Sequence, residues 1–305
     1  MKKYNHVIVI GIDGAGAFIR DADTPHFDRI FSKGAVTYEA LASNPTISAE
    51  CWGSMLLGVG PEVHKLTNPI VCAAPYPVDS PFPSLFRRIR RELPDAVLGS
   101  YCCWRPITSG IVEADLNVNS DAAVDDVLMP RICDYIRGSK PTFLFVQLDT
   151  VDGAGHNYGY GAPGHLAQIH AVDALVGDAY NAVVDAGIQE DTLFMVIADH
   201  GGTPFDGLGA SHGGWTEAER RVTFAVAGKD VCRGSIPAMN IRDLAAIVLY
   251  ALGLEQPEFS ENGWTAQIPE GIFADETLPA YKDISHLTGA APRVSHVPHT
   301  SELTT

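Results

Sequence analysis

Phe194-Met-Val-Ile-Ala-Asp-His-Gly-Gly202 opens as a short apolar run of strand type and closes in Asp199-His200 followed by two glycines. A parallel strand buried on both faces reads this way, and in open α/β sheets ligands collect at the carboxyl ends of the strands. An acid and an imidazole placed there can hold a divalent metal. The plainer alternative is a polar turn after a strand. The partners that the rest of the chain supplies decide between them.

Val7-Ile-Val-Ile-Gly-Ile12 has the same form and ends at Asp13-Gly-Ala-Gly16. Its glycines are wrongly spaced for a dinucleotide fingerprint, and Asp13 would meet a pyrophosphate with like charge. An aspartate at a strand end suits a metal better, or is a turn residue. Thr142-Phe-Leu-Phe-Val-Gln-Leu148 is a third buried strand, leading into Asp149-Thr-Val-Asp-Gly-Ala-Gly-His156. Asp152 and His156 share a face if this segment is helical and converge more freely if it is a glycine-rich loop. A later glycine-rich loop, 207–214, carries His212. Further strands are expected at 35–40, 96–101 and 221–227, and helices at 24–31, 48–58, 84–93, 121–137, 165–186 and 241–252. Pro130 is expected to kink or split the fourth of these helices. The proline-rich stretch 60–82 reads as loop. Alternation of strands and helices predicts an α/β fold, a mostly parallel central sheet with helices on both faces. Residues 1–273 form one domain in this reading. Residues 274–305 form an irregular extension whose His286, His296 and His299 are tail residues rather than ligands.

Hydrophobic residues make up 46% and charged residues 19% of the 305, as in a soluble protein with a substantial core. The net charge of −16 argues against a nucleic-acid polymer or an anionic membrane as partner. It leaves room for a small phosphate ester held through metal ions, whose local charge outweighs the global one. No apolar run is long enough to span a membrane. The six cysteines form no C-x-x-C pair, and the N-terminus enters a strand almost at once. Both features point to a reduced, cytoplasmic protein.

Asp13, Asp152, His156, Asp199, His200 and His212 therefore recur at strand ends or in the loops after them, and with Ser48 they make up two metal shells. The donors are carboxylate, imidazole and hydroxyl with no thiolate, which suits zinc and admits manganese or iron. Ser48 has two readings. It is either an N-cap or a nucleophile at a helix N-terminus, where amides face an anion and a metal lowers the hydroxyl pKa.

Several short motifs carry a family resemblance: Ile-Asp13-Gly, Pro-Thr-Ile-Ser48 with Gly58 and Pro-Glu-Val-His64 downstream, Asp152-Gly-Ala-Gly-His156, Ala-Asp199-His200-Gly and His212-Gly-Gly. In this order they resemble the alkaline phosphatase superfamily, in particular its nucleotide pyrophosphatase/phosphodiesterase branch, over most of residues 7–214. The resemblance implies an alkaline-phosphatase-like fold. It also implies one metal on Asp152, His156 and His212 and another on Asp13, Ser48, Asp199 and His200. Ser48 would be the nucleophile of a covalent phosphoryl- or nucleotidyl-enzyme, resolved by water from the vacated side.

Asn68 lies close to where diesterase relatives carry a phosphate-holding asparagine, one residue short. Cys51 stands where relatives often have another asparagine. The sulfatase pattern Cys-x-Pro-x-Arg is absent. Trp52, Trp104, Tyr158 and Trp215 are candidates to stack a base or aryl group, against the plainer reading of core or rim aromatics. The favoured function is a two-metal phosphodiesterase or nucleotide pyrophosphatase acting on a small phosphate ester or nucleotide. The alternatives are a phosphomonoesterase or phosphomutase-like enzyme, for which Arg105 is the candidate cation, and a metal-containing binding protein without catalysis.

Overall fold

The computed structural model describes residues 2–205 and 209–284. Its strands are β1 (His6–Ile12), β2 (Ala35–Leu41), β3 (Leu98–Cys102), β4 (Asn119–Asp121), β5 (Phe143–Leu148), β6 (Thr192–Ala198), β7 (Arg221–Ala227) and β8 (Gly234–Ser235). They form one sheet in the order β4-β3-β5-β1-β6-β7-β2-β8. β5, β1 and β6 sit side by side and parallel, with Val9 opposite Phe145 on one side and Met195 on the other. β7 runs antiparallel to both β6 and β2. The sheet is thus mostly parallel, as expected. The strands β4 and β8, three and two residues long, carry too little pattern to read from sequence.

β5 and β6 are buried along their whole length, and β1 from Val7 onward. This is why all three read as continuous apolar runs rather than alternating ones. The helices fall into two groups, each packed within itself. Pro25–Phe31, Asp125–Ser139 and Thr150–Tyr158 pack on the long helix Pro163–Asp185. The other group packs Ser48–Leu57 against Pro61–His64, Asn68–Ala73, Pro106–Gly110 and Asp243–Leu252, which also contacts Leu85–Glu92. Pro130 lies inside an unbroken helix rather than splitting it. The stretch 60–82, expected as loop, holds two short helices, Pro61–His64 and Asn68–Ala73.

Residues 274–284, the described part of the expected extension, contain no helix or strand and are tied to the rest of the chain. The Tyr281 hydroxyl donates to Asp243 Oδ2 at 2.6 Å, Lys3 Nζ donates to Asp275 Oδ2 at 3.1 Å, and Ile284 is buried. His286, His296 and His299 lie outside the described residues. No described helix is long and apolar enough to cross a membrane.

Candidate active site

The ends of β1, β5 and β6 bring Asp13, the Asp149–His156 segment and Asp199-His200 to one edge of the sheet. Asp152 and His156 lie on a helix, Thr150–Tyr158, so their four-residue spacing places them on one face. His156 Nε2 is 3.2 Å from Asp152 Oδ2. This helix is anchored from outside: Asp125 accepts from the amides of Asp149 and Thr150 at 2.9 and 3.0 Å. Gly14 has φ +68°, and a Cβ there would come within 2.5 Å of Asp152 Oδ1. Only glycine lets the loop after β1 turn beside that carboxylate.

His200 Nε2 is the hub of the deepest part. Around it stand Asp199 Oδ2 at 3.3 Å, Asp13 Oδ1 at 3.4 Å and Ser48 Oγ at 3.4 Å. Asp13 Oδ1 and Asp199 Oδ2 are buried and have no hydrogen-bond partner. Unpartnered buried carboxylate oxygens are costly unless a cation meets them. Two donors on one metal at bonds of about 2.0–2.1 Å stand about 3.4 Å apart, so each of these three groups is spaced from His200 as a fellow ligand would be. Asp152, His156 and His212 form a second donor group, and an Asp152 oxygen also lies within 4.8 Å of donors on Asp13 and His200. Asp152 therefore stands between the two groups instead of belonging to one alone.

The three imidazoles are held alike. Nδ1 of His156 faces Ala210 O at 3.1 Å, that of His200 faces Gly201 O at 2.9 Å, and that of His212 faces Thr46 O at 2.7 Å. A carbonyl only accepts, so each Nδ1 carries the proton and each Nε2 is turned inward as a potential ligand. His200 and His212 stack at 3.8 Å between ring centroids. Burial, with His212 beside it, pushes the His200 pKa well down. Burial and the charge of Asp199 push Asp13 well up; burial also raises Asp199, with the Gly14 amide only partly offsetting it. Burial alone would raise Asp152, but the bond to His156 and the neighbouring imidazoles outweigh it and hold the carboxyl below the usual range.

Ser48 is the first residue of the helix Ser48–Leu57, and the N-cap is Ile47, with no side-chain cap bond. Its hydroxyl is turned to His200 rather than used as a cap. Thr46, two residues earlier, ties this segment to the His212 loop: its hydroxyl donates to Gly214 O and accepts from the Gly213 amide, both at 3.0 Å. Asn68 Oδ1 accepts from the Ala49 amide at 2.9 Å, which places Asn68 against the start of the Ser48 helix.

The remaining expected contacts are corrected or moved. Trp52 is fully buried, and its Nε1 donates to Asp13 Oδ2 at 3.1 Å; it has no face for a base. The same indole explains Gly11, where a Cβ would come within 2.5 Å of its ring. Cys51 is also fully buried, its Sγ directed at Ser43 O at 3.9 Å, so it meets no substrate. Trp104 is half-buried, and its amide donates to Gln147 Oε1 at 2.8 Å. Arg105 is exposed and lines a separate cleft with Thr108, Val112, Val118 and Ser120. Trp215 packs under Arg220. Tyr158 alone of the aromatic set is exposed, at 62%, two residues beyond His156. Glu50 is buried, and burial raises its pKa to about 7. His64 Nε2 donates to Glu50 O at 3.2 Å and Nδ1 accepts from the Leu66 amide at 2.9 Å, a structural role.

Two site residues escape sequence reading. The Tyr160 hydroxyl donates to Asp152 Oδ1 at 2.6 Å. Gln147 Nε2 donates to Asp13 Oδ2 at 2.9 Å and Asp149 Oδ1 at 2.8 Å. Gln147 left a trace, being the lone polar residue of β5; Tyr160 left none.

The fold and this double Asp/His constellation are those of the alkaline phosphatase superfamily. Within it the chain belongs to the type I phosphodiesterase/nucleotide pyrophosphatase family, whose model matches residues 7–72 and 66–270. Among solved structures it is similar to murine ectonucleotide pyrophosphatase/phosphodiesterase 5, at 15% identity and TM-score 0.67, covering 83% of this chain and 97% of that one. The human counterpart is 13% identical with TM-score 0.68, covering 87% and 100%. A lipoteichoic acid synthase from Listeria monocytogenes is 12% identical with TM-score 0.63, covering 88% and 75%. At these identities the likeness shows the fold. No curated protein sequence matches the chain.

Proposed function

We propose that the protein is a two-metal phosphodiesterase or nucleotide pyrophosphatase in which Ser48 is the nucleophile. The observation that carries this reading is the convergence of Ser48 Oγ with two unpartnered carboxylate oxygens on His200 Nε2. Asp13, Asp199, His200 and Ser48 would hold one ion and Asp152, His156 and His212 the other, with zinc favoured and manganese or iron also suited to these donors. Bound divalent ions would supply Lewis acidity, lowering the pKa of the Ser48 hydroxyl and of a water and stabilising the attacking and leaving oxygens.

Ser48 Oγ, having lost its proton, forms a bond to phosphorus as the bond to the leaving alcohol or phosphate oxygen breaks. The proton lost by Ser48 balances the one gained, through solvent, by the leaving oxygen; water then attacks phosphorus from the vacated side, the P–Oγ bond breaks, and a proton of that water returns to Ser48 Oγ. The first turn of the Ser48 helix turns its positive end toward this anion. Tyr158, the exposed aromatic two residues after His156 with its ring against Gly164, is the aromatic left as a candidate for the organic part of the ester. The AMP complex of an inactive variant of the murine relative supports a nucleotide-sized substrate. No Lys or Arg is ion-paired with the site carboxylates among the described residues, and Arg105 lines a separate cleft. The family match, which is to phosphodiesterases and nucleotide pyrophosphatases, supports the diester reading over the monoester one.

The test is a paired rate assay of zinc- or manganese-loaded protein on bis-p-nitrophenyl phosphate and p-nitrophenyl phosphate. We expect faster turnover of the diester, reduced at least about 10³-fold in Ser48→Ala. Faster turnover of the monoester moves the assignment to a phosphomonoesterase. Turnover of neither, with two ions bound, moves it to a binding protein.

A further inference from the structure

Each deep carboxylate has one oxygen that protein donors hold and one that they leave open. Asp199 Oδ1 accepts from the amides of Gly14 at 3.0 Å and His200 at 2.8 Å, while Oδ2 is open. Asp13 Oδ2 accepts from Trp52 Nε1 at 3.1 Å and Gln147 Nε2 at 2.9 Å, while Oδ1 is open. The donors to Asp199 are main-chain groups. Those to Asp13 are two side chains from other elements, the Ser48 helix and β5.

Gln147 is fully buried in a strand that is otherwise apolar. Its orientation is set by the Trp104 amide, which donates to Oε1 and so turns Nε2 toward Asp13 and Asp149. The side chain thereby ties together the ends of β3, β1 and β5. Trp52 lies four residues after Ser48 on the same helix, hence on the same face. Its bond to Asp13 fixes the Ser48 helix relative to the carboxylate that Ser48 faces across His200.

We propose that Trp52 and Gln147 are positioning residues for metal binding. By occupying Oδ2 they hold Asp13 to ligation through Oδ1 alone, and they set the affinity of the deep ion without affecting the one at Asp152, His156 and His212. This rests on the metal reading above.

The test is titration of metal-free full-length protein with Zn²⁺ against a competing chelator, resolving two dissociation constants. The constant that disappears in Asp199→Asn identifies the deep ion. Trp52→Phe keeps an aromatic ring, smaller than the indole, and removes the N–H; Gln147→Met keeps the length and removes the amide. Each is expected to weaken the deep ion about 10- to 100-fold, with the other ion unchanged within about threefold on the same scale. If both constants fall together, or the deep constant is unchanged in either folded variant, the proposal is overturned. Should Gln147→Met fail to fold, Trp52→Phe decides alone. Wild-type protein that binds fewer than two ions removes the metal reading itself; wild type binding two with unaffected variants removes only this inference.

Discussion

Asp13, Asp199 and His200 keep at most 2% of their side chains exposed, whereas Asp152 and His156 keep 17% and 28%. The same residue types thus stand in opposite surroundings a few ångströms apart. At the rim, Asp152 faces two imidazoles and is held ionised, and the bond to it raises His156 against the effect of burial. This group neutralises itself. On the floor, burial raises both carboxyls, which cannot both ionise cheaply without an outside cation. The floor turns two open carboxylate oxygens inward, and the rim is a pair that an ion would have to displace.

The largest break in that contrast is Asp199→Asn. It should remove the floor ion, lower the metal-to-protein ratio from two to one by elemental analysis, and cut turnover by about 10³-fold or more. Loss of both ions would mean that floor and rim do not bind separately.

pH sharpens the comparison next. Asp13, Asp199 and His156 have folded pKa values raised above their unfolded ones, so the stability they contribute is present at low pH and lost as pH rises through the folded values. Asp152 and His200 are lowered and act in the other direction, but their changes fall below about pH 7. Metal-free protein should therefore lose stability as pH rises above about 6.5, the unfolded value of a histidine, where only the raised groups can still be titrating. Saturating Zn²⁺ should flatten the slope. Chemical denaturation across this range, with and without metal, checks both statements.

At the rim, Tyr160→Phe removes the donor to Asp152 Oδ1. It should weaken the rim ion about tenfold and, because Asp152 stands between the two donor groups, weaken the floor ion by a smaller factor. The smallest effect is expected at Tyr158. Replacing it with alanine should raise KM for an aryl diester about three- to tenfold, a lost aromatic contact, with kcat and metal content unchanged in steady-state assays.

Much of the site was legible before the fold. Asp13, Asp152, Asp199 and His200 end or follow strands that announce themselves by uninterrupted apolar runs, and parallel strands share one carboxyl edge. His212 was legible as a glycine-loop histidine, but its tie to the Ser48 segment through Thr46 was not. Trp52 and Cys51 were misread because sequence shows that they neighbour Ser48, not that their side chains point inward. Helical spacing tells which residues share a face, but only packing shows whether that face is open to a ligand.

The sequence by itself determined the three central strands, the acid and imidazole at their ends, and the serine at a helix start, because burial on both faces and metal-type chemistry both demand particular residue types locally. The tertiary structure alone decided the reversed direction of β7, the sharing of Asp152 between two donor groups, and the roles of Gln147 and Tyr160 as hydrogen-bond donors. These depend on which oxygen of a carboxylate a distant residue reaches, a distance that is written in no stretch of chain shorter than the fold.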